Sequence, residues 1–320
     1  MTRLRKTAIG TASAATFMGL VLLALPALDR AFPPPLPMQL TVSTEVLDRD
    51  GALLRAYATP DGYWRLDTNL DAVDPQFVRM LVAYEDKRFF DHSGVDLLAL
   101  LRAAAQFAGN GRIVSGGSTL SMQLARLIEP RESRSIWAKS RQLFRALQIE
   151  RRLSKHEILE RYLTLAPYGG NLEGVRAASL AYFGKEPRRL SLSESALLVA
   201  LPQLPERRRP DRNHEAAEAA RDRVLKRMVS AGLIGEREAA RAAIEDVAGT
   251  RFALPALAPH TADRALRNTP SQQSHQLTLS KRVQEGLEAV ARSWAPKLGS
   301  KISVAMVLAD ARNGEVLGEV

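Results

Sequence analysis

The chain has 320 residues, of which 46% are hydrophobic, so it is long and apolar enough for one large domain or two smaller ones. Its net charge of +10 favours an anionic partner, such as nucleic acid, an anionic membrane surface or a phosphate-bearing substrate. It contains no cysteine, which excludes a disulfide scaffold and a thiolate metal site.

Residues 1–30 predict a cytoplasmic tip and a transmembrane anchor. Basic residues precede an uncharged run from Thr7 to Leu28, which is long enough for a bilayer-spanning helix of about 20 residues. The positive flank places the N-terminus in the cytoplasm and the body of the chain outside it. A cleaved signal peptide is the alternative, but 25–28 is a poor cleavage site. We therefore expect a single-pass protein of the cell inner membrane, with its body in the periplasm and no nucleic acid as partner.

Residues 31–70 predict a proline-rich spacer followed by a small β connector. The segment 32–37 reads Phe-Pro-Pro-Pro-Leu-Pro, which favours a stiff, extended conformation. Strands are predicted over 41–47 and 53–57, on either side of a turn at 48–51. This connector carries no evident chemistry.

Residues 71–250 predict a domain that is mainly α. Pro75 begins the first helix, and Phe77, Met80 and Leu81 follow at helical spacing. Further helices are predicted over 97–108, 118–127, 136–152, 155–165, 190–201 and 216–229. Residues 109–117 form a glycine-rich loop between two of them.

Residues 251–320 predict a linker and the beginning of another domain. The part from 255 to 280 is expected to be irregular, and a helix is predicted over 283–294. Strands over 302–308 and 315–320 would flank an Asn-Gly turn. Because the chain ends inside that last strand, we expect the segment to be the truncated start of a longer α+β domain.

A pair of adjacent carboxylates, Glu85 and Asp86, is the first candidate for catalysis. Phe89 follows within one helical turn, then His92 and Gly94. A carboxylate beside apolar rings loses hydration, so its pKa rises and it can act as a base near neutral pH. The alternative is an ordinary helix end with solvated carboxylates and a buried phenylalanine, and this block alone leaves both open.

The end of the glycine-rich loop is a candidate phosphate site. Gly117 allows close approach of a ligand, and Ser118 and Thr119 open a helix whose free N–H groups attract anions. The alternative is a plain helix start with Ser118 as the N-cap.

A basic helix is the third candidate. Lys139 and Gln142 lie three residues apart and share a face, with Arg141 on a further row. Together with Arg126 on the preceding helix, these side chains could hold a diphosphate from both sides. A solvated charged face is the alternative. The buried stripe of this helix is predicted to be Ile136, Leu143, Phe144 and Leu147.

The spacing of the histidines in the sequence predicts no metal site. They show no ligand spacing and are expected to be capping or surface residues; they are His92, His156, His214, His260 and His275. No Ser/His/Asp arrangement is found either.

Taken in order, the blocks resemble a known family. They are Glu85-Asp86-x-x-Phe89-x-x-His92-x-Gly94, Gly116-Gly117-Ser118-Thr119-x-x-x-Gln123, Lys139-x-x-Gln142, Lys155-x-Glu157-Ile158-Leu159-x-x-Tyr162-Leu163 and Tyr182-Phe183-Gly184-Lys185. This order resembles the family 51 peptidoglycan glycosyltransferase domain of class A penicillin-binding proteins. The resemblance implies a lysozyme-like, mainly α fold, and the last segment resembles the start of the transpeptidase domain.

The resemblance also implies a reaction in cell-wall biosynthesis. Lipid II would be polymerised into β-1,4-linked glycan strands with release of undecaprenyl diphosphate, at the membrane and together with cell-wall synthesis proteins. Glu85 would be the base, and Gln142 stands at the family's second catalytic position. Substrate-binding roles would fall to Asp86, Phe89, His92, Gly117, Ser118, Thr119, Gln123, Arg126, Lys139 and Arg141.

The sequence departs from the family pattern at two positions. The family usually has Glu where this chain has Gln142, and Asn where it has Thr164. With Pro-Tyr-Gly-Gly at 167–170 and Arg-Pro-Asp-Arg at 209–212, these features resemble the 1C type. No cofactor is required by the resemblance, and a divalent cation, magnesium or manganese, is left open. Ser-x-x-Lys and Lys-Thr-Gly are absent, so these residues predict no transpeptidase activity.

Two other functions remain open from the residues. Gln142 in place of a carboxylate suggests a catalytically weak, lipid II-binding scaffold in a cell-wall synthesis complex. A lysozyme-like hydrolase would share the fold but use water as acceptor, and the phosphate-suited loop argues against it.

Overall fold

The computed structural model describes residues 27, 29–34, 36, 40–99, 101–102, 117–130, 135–247, 249–299 and 301–320. The predicted anchor and most of the glycine-rich loop lie outside this part of the chain. No helix within it is long and apolar enough to cross a membrane. The described residues form two compact units: a smaller one with His92–Ser154 and the residues before 39, and a larger one with Gln39–Asp91 and Lys155–Val320.

The described elements are mostly helices, as predicted. The helices are α1 (Pro75–Glu85), α2 (Leu120–Ile128), α3 (Ile136–Glu150), α4 (Lys155–Leu165), α5 (Val175–Phe183), α6 (Leu192–Ala200), α7 (His214–Ser230), α8 (Glu236–Ala243), α9 (Pro259–Asn268) and α10 (Lys281–Leu298). The strands are β1 (Thr44–Leu47), β2 (Leu53–Tyr57), β3 (Trp64–Arg65), β4 (Pro167–Gly169), β5 (Leu172–Glu173), β6 (Ser274–Gln276), β7 (Val307–Ala309) and β8 (Val316–Glu319).

In the smaller unit, the N-cap of α2 lies one residue later than predicted. Thr119, not Ser118, is the N-cap, with an extended backbone and a hydroxyl that accepts from the Met122 N–H at 3.1 Å. The same hydroxyl donates to the Gly94 carbonyl at 2.6 Å. Thr119 is buried and Ser118 is exposed. The prediction of Ser118 as N-cap was wrong because only the buried hydroxyl can serve both the helix and the neighbouring turn.

Helix α3 packs against α2, and its most buried positions are Ala146, Gln148 and Ile149. Of the predicted stripe, Leu143, Phe144 and Leu147 are only half-buried, and the side chain of Ile136 lies outside the described part of the chain. Ala146 faces Gly94, where an added Cβ would lie 2.8 Å from the Ala146 carbonyl oxygen. Only a residue without a side chain allows this close approach of the turn at Gly94 to α3.

The C-terminal end of α3 is tied to the segment that follows the predicted anchor. Arg152 donates two hydrogen bonds to the carboxylate of Asp29, at 3.0 and 2.9 Å. Gln148 donates to the same carboxylate at 2.7 Å and to the Phe32 carbonyl at 2.9 Å. Within the smaller unit, α3 therefore holds residues 29–34 in place.

In the larger unit, the core forms where α1 packs against α6 and α7. Phe77, Met80 and Leu81 are buried, as the spacing predicted. A buried arginine, Arg221 of α7, donates to the Ala243 carbonyl at 2.7 Å and so caps the end of α8. Helices α5 and α8 were not predicted.

Three small sheets complete the larger unit. Strands β1 and β2 form the predicted antiparallel hairpin, and β6 joins β1 in parallel. The expectation of an irregular segment at 255–280 was wrong, because it contains α9 and β6. Helix α9 is polar apart from a narrow stripe, in which Ala262 is buried and Leu266 is half-buried against the same core, so its sequence signal was weak. Strand β5 pairs with β3 and β4, where prolines and glycines had predicted only a break.

Candidate active site

Glu85 is the last residue of α1 in the larger unit. The helix ends there because Asp86 leaves the helical conformation, with φ −154° and ψ 74°. The Glu85 side chain is half-buried, and its Oε1 accepts a hydrogen bond from Nε2 of Gln203 at 2.9 Å. Gln203 in turn accepts from Arg208 at 3.2 Å, so a chain of polar groups leads to the carboxylate.

A buried tyrosine also lies within electrostatic reach of Glu85. The Tyr168 side chain, on β4, is fully buried, and its hydroxyl has no hydrogen-bond partner within the described residues. Burial raises the pKa of the Tyr168 hydroxyl above its ordinary value, and the charge of Glu85 raises it further. The carboxylate thus has an aromatic neighbour that lies far from it in the sequence.

Asp86, Phe89 and His92, which follow Glu85 in the first sequence block, are buried or bonded within the fold. Asp86 is 6% exposed and Phe89 is fully buried, with the Lys155 ammonium 4.4 Å from the centre of its ring. In the smaller unit, the backbone N–H of Gly94 donates to Nδ1 of His92 at 3.2 Å. His92 therefore orders the turn that precedes Gly94.

At the start of α2, some of the predicted phosphate ligands are accessible to solvent, and others are already bonded within the protein. Gly117 and Gln123 are half-buried, and Ser118 exposes its hydroxyl to solvent. The hydroxyl of Thr119 is already used within the smaller unit, as described above. Of the two hydroxyls, the exposed one on Ser118 is the better placed to meet a ligand at this helix N-terminus.

A cavity of about 460 Å³ lies between α2 and α3. Its lining includes Arg126, Arg141 and Gln142, all predicted site residues, and the carboxylate of Glu129. Glu129 accepts from Arg141 at 2.5 Å and from Arg145 at 3.0 Å. Burial alone would raise the pKa of Glu129, but these two guanidinium groups outweigh it and hold the pKa below its ordinary range.

The cations near this cavity are therefore not equally available to bind an anion. Arg141 is already in an ion pair with Glu129. Arg126 and Lys139 are both exposed, and neither forms an ion pair with a carboxylate in the described part of the chain. Lys139 is not part of the cavity lining. The cations best able to meet a phosphate are thus Arg126 and Lys139.

Gln142 is buried between the two helices. Its side chain is 8% exposed, and its Nε2 donates to the Met122 carbonyl at 2.5 Å. Met122 is fully buried although Arg126, one turn further along α2, is exposed. The expectation that Lys139 and Gln142 present one common face is not met, because Lys139 points to solvent and Gln142 joins α3 to α2.

The α2–α3 cavity does not suit a divalent cation. Such an ion needs several oxygen ligands, mainly carboxylates. The one carboxylate in the lining, Glu129, is paired with arginines, and Gln142 uses its amide on Met122. Elsewhere, in the larger unit, side-chain ligand atoms of His214, Glu218 and Asp246 lie within 4.8 Å of one another. The histidine sequence pattern had predicted no such grouping.

The two 1C-type segments, 167–170 and 209–212, lie together in the larger unit. Arg209 is buried and bonds Asp211 through two nitrogens, at 3.1 and 2.6 Å. Arg251 donates to the Gly169 carbonyl at 2.8 Å. These contacts fix the strand that carries Tyr168. Nothing in either segment alone indicated their contact.

Gln203, Arg208 and Tyr168 are the site neighbours that the sequence did not reveal. Gln203 lies 118 positions from Glu85, and no motif marked it. Only the segments 167–170, which contains Tyr168, and 209–212 pointed toward this part of the chain.

Comparison with known proteins gives the family. The transglycosylase family model matches residues 50–229. Penicillin-binding protein 1C of Escherichia coli is 41% identical over 97% of this chain and 40% of that protein. Penicillin-binding protein 1A of Aquifex aeolicus is 37% identical over 69% of this chain and 30% of that protein. A crystal structure of penicillin-binding protein 1A from Haemophilus influenzae overlaps 86% of this chain and 33% of that chain, with a TM-score of 0.38 and 19% identity.

The chain spans less than half the length of these relatives. The family match covers more than half of the chain itself and contains every predicted site residue from Glu85 to Gln142. This chain therefore belongs to the transglycosylase family.

Proposed function

We propose that this chain is the glycosyltransferase part of a class A penicillin-binding protein of the 1C type, which polymerises lipid II into glycan strands. The observation that carries the proposal is the family match over 50–229, which contains the ordered carboxylate, glycine-loop and basic-helix motifs. The 41% identity to penicillin-binding protein 1C supports the subtype.

In the proposed reaction, Glu85 is the general base. It takes the proton from the acceptor sugar 4-hydroxyl as that oxygen attacks C1 of the growing chain. The bond between C1 and the diphosphate oxygen breaks, and undecaprenyl diphosphate leaves. A half-buried carboxylate with a fixed hydrogen-bond donor is suited to this proton transfer.

The leaving diphosphate is proposed to bind the exposed groups of the smaller unit. Arg126 and Lys139 supply charge, and Ser118 and the start of α2 supply hydrogen-bond donors. Gln142 acts in this proposal by holding α3 to α2, and not by proton transfer. No step uses a metal ion.

The location and the remaining domains belong to the same proposal. The protein is anchored in the inner membrane through the segment before Asp29, with the glycosyltransferase domain, of lysozyme-like fold, in the periplasm. Residues 251–320 are the linker and the start of a transpeptidase domain. The growing glycan strand and other cell-wall synthesis proteins are its partners.

The decisive experiment measures glycan chains made from labelled lipid II by the full chain in detergent. We expect Glu85→Gln to abolish polymerisation and leave lipid II binding largely intact. Near-normal product from this variant would contradict the assignment of Glu85. A native chain that binds lipid II without making product would instead favour the scaffold.

A further inference from the structure

Gln203 connects the carboxylate of Glu85 to a fixed arginine. Its side-chain amide has one end that donates and one that accepts, and the two ends look alike in shape. Arg208 can only donate, so the Gln203 oxygen must face Arg208, at 3.2 Å. The amide nitrogen must then face Glu85, at 2.9 Å. Because Arg208 can only donate, it decides the direction of both hydrogen bonds in the chain Arg208–Gln203–Glu85, which we call the relay.

The backbone that carries Gln203 is held by buried residues. Gln203 ends the short 3₁₀ turn Leu201–Gln203, whose Leu201 and Pro202 are both buried. Arg208 also donates to the Ala200 carbonyl at 2.5 Å, at the end of α6. The Gln203 side chain is exposed. Its backbone is held by the buried 3₁₀ turn, and Arg208 is held by its bond to the Ala200 carbonyl. A donor held in this way restricts the orientation of the group it binds.

We infer that Gln203, oriented by Arg208, positions the Glu85 carboxylate for proton transfer. This inference rests on the proposed function, because it assumes that Glu85 is the base. Gln203 is a positioning residue here: it contacts the base and no reacting atom. Its bond to Oε1 restricts the rotation of the carboxylate, which favours one orientation toward the acceptor hydroxyl.

The charged and titratable groups around this relay come from several elements. Tyr168 faces Glu85 from β4, and Arg208 faces it from the segment after the 3₁₀ turn. Tyr84 and Arg223 act on Arg208 itself. Burial lowers the pKa of Arg208, its largest influence, but the group remains charged at neutral pH and the relay stays intact there.

The test uses Gln203→Met in the full chain, with lipid II as substrate. Methionine keeps the length of the side chain and removes both polar ends. We expect kcat to fall about tenfold with little change in KM, since the base is misaligned but present. The acid limb of the pH–rate profile should move to higher pH, because the charged carboxylate has lost a donor. Gln203→Glu should move it further in the same direction.

Gln272→Met is the matched control, because Gln272 is exposed in the same unit and its side chain forms no hydrogen bond within the described residues. It should leave kcat and the profile unchanged. A wild-type kcat and profile for Gln203→Met, with Glu85→Gln inactive, would overturn the positioning role alone. Loss of lipid II binding with an unmoved profile would overturn it too, by making Gln203 a substrate ligand. Normal polymerisation by Glu85→Gln would instead reject the base assignment of the proposed function.

Discussion

Gly169 lies directly against the side chain of Arg209. A Cβ added to Gly169 would stand 2.5 Å from Cγ of Arg209, and the backbone there has φ +99°. Arg209 cannot easily move away, because it is buried and paired with Asp211. The contact joins the two segments that resemble the 1C type, and it holds the strand that carries Tyr168.

Gly169→Ala should therefore destabilise the protein by about 3 kcal/mol, from backbone strain and overpacking together. Gly62→Ala is the matched control, since Gly62 also has a positive φ, +85°, but open space around it. That change should cost only about 1 kcal/mol. Denaturant unfolding of both variants measures the difference. Equal losses would mean that Arg209 yields to the new methyl group.

Local patterns predicted many of the elements but not the contacts between them. Helix α1 was predictable because Phe77, Met80 and Leu81 repeat at helical spacing and Pro75 begins it. Helix α9 was missed, because its narrow apolar stripe, with Ala262 and Leu266, lies within a mostly polar segment. In the same way, Glu85 was found from its neighbours in sequence, whereas its donor Gln203 is brought to it only by folding.

The two hydroxyls at the start of α2 should respond differently to mutation. Thr119→Ala should lower the free energy of unfolding by about 2 kcal/mol, because it removes the N-cap and leaves the Gly94 carbonyl without its donor. Ser118→Ala should leave stability within about 0.5 kcal/mol of the wild type. Under the proposed function, Ser118→Ala should instead weaken lipid II polymerisation.

Thermal unfolding and the polymerisation assay, applied to both variants, check this division. Thr119→Ser is the control, since it keeps the hydroxyl and should retain most of the stability. A large loss of stability from Ser118→Ala would contradict the assignment of Thr119 as the cap.

Gln142→Glu should destabilise this chain, although glutamate is the usual residue at this position in the family that the sequence motifs resemble. A carboxylate at this buried position cannot donate to the Met122 carbonyl and would repel it. We expect a loss of about 2 kcal/mol at neutral pH and no gain in polymerisation. Gln142→Met, which removes the donor without adding charge, should cost less. A Gln142→Glu variant that is more active than the native chain would favour the scaffold reading.

Glu129 should make the stability of the smaller unit depend on pH. Its arginine partners hold its folded-state pKa below the ordinary value of 4.5, so the ionised form favours folding. The stabilisation is complete above pH 4.5 and is lost as the pH falls through the lower, folded-state pKa. Glu129→Gln should therefore reduce the free energy of unfolding at neutral pH by about 1 kcal/mol.

The difference between wild type and Glu129→Gln should then shrink as the pH is lowered below 4.5, since the wild-type carboxyl becomes neutral as well. Unfolding of both proteins by denaturant at a series of pH values measures this difference. A difference that stays constant into the acid range would mean that Arg141 and Arg145 do not stabilise the ionised form, and that Arg141 keeps its charge available for a phosphate.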